Sequence, residues 1–479
     1  SGHGSRAGKR GHPAHARRGG EEGRSLPARC GKPVDELWTN LGPEVINISY
    51  TGSRSIIHRV IQIDFSSISA FLTGFSTYPQ PLRLRLRIFT IFFLYKQTHQ
   101  TVRKGELSTI MKLVFDKADL VKSVGIAMKA VSGKTTMPIL ECILIDASSN
   151  VIKFTSNDME LGIETIVTGM ILERGIVALD AKIFSEIVRK LPDNQVTIET
   201  DENLVTTITC EKAKFNIPGQ SGEDFSYLPI LETSDCVSIS QFTLKELIRQ
   251  TIFSIAANEN NKLMTGELFE IKDNTLRVVS LDGHRIAIRR IELKDSYPDR
   301  KVVVPGKTLN EISKILSGEM DDQIDIYFSE NHIMFKFDDT TVVSRLIDGE
   351  YFRIDQMLSS DYETKVTINK KEFLSCIDRA TLLVKEGDKK PIIIDIQDGA
   401  MELQINSAMG SMKEEIDINK EGKDIMIGFN PKFLIDALRV IDDEEISIYL
   451  VNPKAPCFIR NEEESYIYLI LPVNFNSVR

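Results

Sequence analysis

The chain has 479 residues, 42% of them hydrophobic and 27% charged, which is the balance of a soluble globular protein. The length is too great for one ordinary core and suggests about three domains. The six cysteines are scattered, with no C-x-x-C pair and no Cys/His cluster, which argues against a disulfide framework or a zinc site and favours a reducing, cytoplasmic setting.

The first part of the chain differs in charge from the rest. Residues 1–110 carry a net charge of +9, and residues 111–479 carry −18. The Gly/Arg-rich start lacks apolar periodicity and is expected to be disordered. The segment LRLRLRIFTIFFLYK (82–96) has an apolar run too short for a transmembrane helix. Because Met111 begins an ordinary cytosolic start, we expect 1–110 to be a fusion or extension; the alternative is a repeat scaffold attached to a membrane through 82–96.

Two helix patterns recur along the remaining part at intervals near 125 residues. The first pattern occupies residues 117–131, 244–256 and 370–384. The second occupies residues 180–191, 305–316 and 430–441, and its three equivalent lysines are Lys182, Lys307 and Lys432. Alternating residues predict strands between and after the helices, among them VIKFTS, TLRVVSL, MELQIN, VTIET, IDIYF and ISIYL.

This repetition predicts the fold class. Each unit holds two helices and several strands, and the short loops favour antiparallel pairing. We therefore predict an α+β protein with three similar two-helix domains, at residues 111–235, 236–359 and 360–479. Three tandem domains without a common purpose would show the same pattern, but similar units on short connections more often pair their neighbouring edges into one body.

The stretch VSLDGHRIAI (279–288) is a candidate catalytic site, with His284 as a base oriented by Asp282. Asp-Gly is also an ordinary tight-turn pair, and a neighbouring histidine commonly only bonds the backbone. The sequence contains no G-x-S-x-G, no H-E-x-x-H and no Gly-rich phosphate loop. We predict no catalytic residue, cofactor or metal, and a hydrolase centred on His284 and Asp282 is the alternative.

Two further features point to binding surfaces. The C-terminal SYIYLILPVNF (465–475) either packs in a core or leaves Leu469, Leu471 and Val473 along a shallow apolar groove. The predicted helices carry lysine and arginine despite the negative total. These side chains are either solvated helix faces or, if the helices share one side, a positive lane for a polyanion.

Residues 111–479 resemble the bacterial DNA polymerase III β-subunit family, the sliding clamps. The resemblance rests on TTMPILECILI, SLDGHRIAI, LIDGEYFRID, IGFNPKFLIDAL and YLILPV, in this order across the three units. It implies a homodimer whose six domains form a closed ring around duplex DNA, without sequence preference and without bond chemistry. The implied partners are the DNA polymerase III core, an ATP-driven clamp loader and other proteins with a clamp-binding motif. Residues 1–110 have no counterpart.

The resemblance also implies three sets of site residues. The DNA contacts are Lys134, Lys182, Lys262 and Lys307. The dimer interface joins Phe215 and Ile217 of one subunit to Leu382 and Leu383 of the other. The partner-peptide groove comprises Met264, Leu281, Gly283, His284, Arg285, Ile286, Phe352, Met357, Leu469, Leu471, Pro472 and Val473. Phe352 stands where the family usually has proline, and Asn474 stands where it often has arginine. Both departures alter the rim of the groove.

Overall fold

The computed structural model describes residues 110–133, 135–231, 236–257, 261–358, 361–385 and 390–475. The predictions made for residues 1–109 and for Lys134 lie outside these ranges. Within them, no helix combines the length and the apolar character needed to cross a bilayer.

The described residues contain six α-helices, two in each predicted unit, at the positions of the repeated patterns. They are α1 (Lys117–Ala127), α2 (Ala181–Lys190), α3 (Gln241–Thr251), α4 (Gly306–Ser313), α5 (Lys370–Thr381) and α6 (Pro431–Val440). Short 3₁₀ turns occupy Met128–Ala130, Pro138–Glu141, Gly222–Asp224, Ile252–Ser254, Lys262–Thr265 and Ile354–Met357. Side-chain oxygens at four helix starts accept hydrogen bonds from first-turn amides, which fixes where those helices begin: Asp180, Ser240, Asn369 and Asn430.

Strands fill the rest of each unit, which we call repeat 1 (111–235), repeat 2 (236–359) and repeat 3 (360–479). Repeat 1 has β1 (Met111–Asp116), β2 (Cys142–Asp146), β3 (Ile152–Asn157), β4 (Leu161–Val167), β5 (Met170–Glu173), β6 (Ile176–Asp180), β7 (Gln195–Thr200), β8 (Val205–Cys210) and β9 (Ala213–Gln220). Repeat 2 has β10 (Cys236–Ser240), β11 (Gly266–Leu281), β12 (Arg285–Pro305), β13 (Gln323–Phe328), β14 (His332–Phe337) and β15 (Thr340–Arg345). Repeat 3 has β16 (Thr364–Asn369), β17 (Ile392–Gln397), β18 (Ala400–Ser407), β19 (Gly410–Asp417), β20 (Asn419–Gly422), β21 (Ile425–Phe429), β22 (Glu445–Leu450), β23 (Cys457–Arg460) and β24 (Tyr466–Ile470).

All strand pairs of the described residues are antiparallel, and two sheets run across repeat boundaries. The thirteen-stranded sheet has the order β10-β13-β14-β15-β4-β3-β2-β6-β9-β8-β7-β1-β5, the seven-stranded sheet β11-β12-β24-β23-β22-β16-β20, and the four-stranded sheet β19-β18-β17-β21. β15 of repeat 2 pairs with β4 of repeat 1, and β12 of repeat 2 pairs with β24 of repeat 3. The predicted α+β fold and the predicted pairing of neighbouring edges are therefore confirmed.

Each repeat has its own core between its helices and sheets. Core 1 is centred on Phe115, Phe154 and Phe184, whose rings contact edge to face. Core 2 surrounds Phe269 and Phe335 and also takes in Leu161 of repeat 1; core 3 surrounds Phe373. The helices pack in pairs within each repeat, and α3 also contacts α6 across the boundary. Buried apolar side chains therefore stabilise each repeat and also connect neighbouring repeats.

A fourth apolar cluster lies between repeats 2 and 3. This junction cluster consists of Leu268, Val279, Leu281, Ile286, Ile288, Val303, Tyr351, Ile354, Tyr449, Phe458, Ile467 and Leu469. It forms because alternate residues of β11, β12, β24, β23 and β22 share one face of the seven-stranded sheet. The candidate site is built on it.

Candidate functional site

The Asp-Gly-His motif forms the turn between β11 and β12. Gly283 has φ of +87°, a left-handed conformation that glycine adopts without steric cost. The Asp282 carboxylate accepts hydrogen bonds from the backbone N–H groups of His284, at 2.9 Å, and Arg285, at 3.1 Å. The motif is therefore an aspartate-stabilised hairpin turn, which is the structural alternative that the sequence offers.

The same geometry removes the support for a hydrolase. A catalytic pair would need Asp282 to orient the imidazole of His284. Instead, Asp282 is occupied by the two backbone amides and by Nε of Arg285, at 3.0 Å. The His284 ring is exposed and stacks on Phe433, with ring centroids 6.1 Å apart and planes 22° apart. Asp282 and the His284 ring thus do not form the pair that a hydrolase would need.

Arg285 lies beneath this turn and is only 7% exposed. Its Nη1 donates to Oδ2 of Asp436 at 2.7 Å, and its Nη2 donates to the carbonyl oxygen of Phe253 at 2.5 Å. Its Cζ lies 4.5 Å from the ring centroid of Phe433 and 5.3 Å from that of Phe253. The predicted groove residue Arg285 is therefore a buried support, with its charge compensated by two carboxylates and two ring faces.

The apolar groove residues come together on the seven-stranded sheet. Leu281, Ile286 and Leu469 stand directly opposite one another on β11, β12 and β24. All three are buried in the junction cluster, and Met264 and Phe352 pack against it as half-buried neighbours. These five predicted residues thus form one continuous apolar base, although they are separated by up to 205 positions in sequence.

The C-terminal segment provides the surface above this base. The Leu471 amide donates to the His284 carbonyl oxygen at 2.9 Å, and the Val473 amide donates to the Gly428 carbonyl oxygen at 2.8 Å. Leu471 is exposed, and Pro472 and Val473 are half-buried. Met357, in the connection after β15, is also exposed. Within this C-terminal segment, Leu469 therefore packs inside and Leu471 lies at the surface.

Phe433 belongs to this site and is absent from the sequence-based residue set. It lies on the first turn of α6 and contacts both His284 and Arg285. The signal was present, because Phe433 sits inside IGFNPKFLIDAL, one of the stretches that carry the family resemblance. Its position beside the turn follows only from the packing of α6 against repeat 2.

The candidate phosphate contacts lie near helix starts. Lys182 and Lys307 are the second residues of α2 and α4, and Lys262 begins a 3₁₀ turn; all three are exposed. Lys307 forms an ion pair with the nearly buried Asp158 of repeat 1. Within the described ranges, Lys182 and Lys262 have no ion-pair partner.

Many other basic side chains of the helices are paired with carboxylates. The paired residues are Lys117, Arg189, Lys190, Arg249, Lys314, Arg379, Lys432 and Arg439. These ion pairs agree with the first of the two interpretations of the sequence, in which the basic residues lie on solvated helix faces beside acidic residues. The unpaired positive charge available to a polyanion is consequently concentrated on fewer lysines than the sequence indicates.

The predicted interface residues lie at two separate edges. Phe215 on β9 is exposed, and β9 pairs with β6 only at its last two residues, so the preceding edge has no partner strand within the described ranges. Leu382, just after α5, is 74% exposed, and Leu383 is half-buried against core 3. Ile217 differs from the expectation of an interface side chain, because it is buried in core 1.

Three family models match the chain one after another. The N-terminal, central and C-terminal domains of the DNA polymerase III beta subunit match residues 111–229, 238–352 and 355–474. Their order is that of the three repeats.

Named relatives and solved structures match the same share of the chain. The beta sliding clamp of Staphylococcus epidermidis is 33% identical over 375 residues, which are 76% of this chain and 99% of that protein. A crystal structure of a putative DNA polymerase III beta subunit from Eubacterium rectale is 71% identical, with a TM-score of 0.75 over 76% of this chain and all of that one. The DNA polymerase sliding clamp of Bacillus subtilis is 35% identical, with a TM-score of 0.74 over 77% of this chain and all of that one.

Proposed function

Because the chain belongs to the DNA polymerase III β-subunit family, whose members are sliding clamps, we propose that two copies of it close into a ring that encircles duplex DNA and tethers a polymerase. The observation that carries this proposal is the threefold repeat, matched in order by the three domains of the family. We place the domain boundaries at 111–235, 236–359 and 360–479.

Ring closure is assigned to the two exposed edges. Phe215, at the part of β9 without a partner strand in the described ranges, would meet Leu382 and Leu383 of a second copy, beside β19, the end strand of the described four-stranded sheet. A head-to-tail contact of this kind, used twice, closes a two-fold ring and covers sheet edges that would otherwise invite aggregation. Ile217 contributes by supporting Phe215 from core 1.

The lysines at the helix starts are assigned to DNA. Lys182, Lys262 and Lys307, together with Lys134, would contact phosphates, which fixes position on the duplex without reading its sequence. The acidic remainder of residues 111–479 disfavours DNA on other surfaces. A ring held by topology needs only weak contacts of this kind.

The site around His284 is assigned to partner proteins. An apolar base with a few polar rim groups suits the leucine or phenylalanine anchors of a short peptide motif. Met357, Leu471 and Val473 offer the accessible apolar atoms, and His284 and Gly283 form the rim. Partners would be the polymerase core, the clamp loader and other proteins that carry such a motif.

Members of the family are non-catalytic processivity factors. We extend this to the present chain, which would have no catalytic residue and no cofactor and would act in the cytoplasm. Its contribution would be purely mechanical, because retention on DNA requires closure and no bond chemistry.

Loading onto circular DNA tests this function. A bacterial clamp loader with ATP would load the full chain onto a nicked plasmid, and gel filtration at high salt would separate bound from free protein. Cutting the plasmid with a restriction enzyme should release the protein, because it can then slide off the ends. Equal retention on circular and linear DNA would contradict encirclement.

A further inference from the structure

The rim of the candidate groove is assembled from two repeats. His284 belongs to the β11–β12 turn of repeat 2, whereas Phe433 belongs to α6 of repeat 3, and their rings stack at 6.1 Å. A change in the angle between the repeats would therefore separate the two rings. A side-chain link between the turn and α6 would hold the two rings in register.

Arg285 makes that connection. Its Nε binds Asp282, the residue that fixes the turn carrying His284, and its Nη1 binds Asp436. Asp436 lies three positions after Phe433, on the same face of α6. One guanidinium thus joins the turn to the helix, and its Cζ lies 4.5 Å from the centroid of the Phe433 ring.

We propose that Asp436 is a positioning residue for the partner groove, acting through Arg285 to hold His284 and Phe433 in contact. This inference rests on the proposed groove function and extends it, since Asp436 itself stands outside the rim. Without the Asp436 carboxylate, Arg285 keeps Asp282 as its one carboxylate partner within the described ranges. The guanidinium then keeps only its contact with the Phe433 ring as a link to α6.

The chain offers a matched control in Asp442. This residue also bridges repeats 2 and 3, through Nη2 of Arg249 at 2.9 Å and Nε2 of Gln250 at 3.1 Å. Neither of these partners contacts His284 or Phe433 in the described structure. Asp442→Asn therefore weakens the same junction without loosening the rim.

The test measures the affinity of the full chain for a fluorescein-labelled eight-residue peptide whose apolar residues are two leucines and one phenylalanine. A second peptide has alanine at those three positions. We expect Asp436→Asn to weaken binding of the first peptide about tenfold, Asp442→Asn to change it less than twofold, and Asp436→Glu to restore most of the affinity. In a His284→Ala background, Asp436→Asn should have almost no further effect.

A second measurement follows the His284 ring directly. The NMR signal of its Cε1 proton, assigned with His284→Ala, should shift in Asp436→Asn because the ring no longer feels the ring current of Phe433, and stay in place in Asp442→Asn. An unchanged signal with unchanged affinity, or equal losses of affinity from both Asn variants, would overturn the inference alone. A wild type that binds both peptides equally would instead refute the groove and with it this inference.

Discussion

Removal of the Leu382 side chain tests ring closure with a magnitude that follows from its exposure. Leu382 is 74% exposed in the single chain, so little of it packs against its own repeat. Full burial of a leucine side chain contributes about 1.5–3 kcal/mol. If the interface buries the exposed part of Leu382, each contact should therefore gain about 1–2 kcal/mol of association free energy. Two equivalent contacts per ring make the cost of Leu382→Ala about 2–4 kcal/mol per dimer.

This cost appears in dimerisation and leaves the fold intact. Since about 1.4 kcal/mol is a tenfold change in an equilibrium constant, the dimer Kd should rise by roughly 30-fold to 700-fold. The stability of the folded monomer should change by no more than about 0.5 kcal/mol, as for other surface positions. Leu383 is left unchanged because it packs against core 3. Its replacement would lower the stability of the fold as well as the affinity of the dimer, and the two effects could not be separated. Replacing both leucines should give a monomer.

Analytical ultracentrifugation of the full chain over a concentration series measures the dimer Kd, and urea unfolding measures monomer stability. Leu172→Ala is the matched control, because Leu172 on β5 is also more than half exposed but lies away from both proposed edges. An unchanged Kd in Leu382→Ala, or an equal rise in Leu172→Ala, would refute the assigned interface.

Two further predictions concern a buried carboxyl group and a paired lysine. Glu267 is fully buried, and burial raises the pKa of its carboxyl group well above the ordinary value. A raised folded-state pKa gives stability that is fully present below the unfolded-state pKa, about 4.3, and is lost as pH rises towards the folded-state pKa. The urea midpoint of the wild type should therefore fall relative to that of Glu267→Gln as pH rises above about 4, and parallel curves would contradict this. Lys307→Met should lower the salt slope of DNA binding by about 0.9 for each phosphate that the lysine neutralises in the wild type. Lys301→Met removes a lysine of β12 that pairs with Glu270 of β11 and should leave the slope unchanged. Equal slopes in all three proteins would remove Lys307 from the DNA contacts.

The helices and most strands were predictable because their signals are local. The 125-residue spacing of Lys182, Lys307 and Lys432 marks the starts of α2, α4 and α6, and hydrogen-bond acceptors stand beside two of these starts. Period-two alternation likewise marked β7, β13 and β22. Each helix or strand pattern lies within about a dozen residues, and the 125-residue spacing only repeats these local patterns, so no tertiary information was needed.

Long-range pairing could not be predicted in the same way. Arg285 and Asp436 are 151 positions apart, and no pattern in either segment predicts that they form an ion pair. Phe215 and Ile217 share one face of β9 by alternation, yet only Ile217 is buried, because core 1 covers that end of the strand. β11 and β12 extend far beyond the predicted TLRVVSL, with register shifts around the left-handed Asp273 that no periodicity reveals.

Lys307 shows why the hold on DNA should depend on closure. In the single chain its ammonium group pairs with Asp158, whose carboxylate also accepts the amides of Glu160 and Leu161. Lys307 is more than half exposed, and its flexible stem allows the charge to turn towards a phosphate. Such a contact competes with an ion pair between repeats 1 and 2, so it gains less than a contact from Lys182, which has no ion-pair partner within the described ranges. Contacts that exchange in this way permit sliding. The protein must then be retained on DNA by the closed ring itself, through its continuous chains and its two subunit interfaces.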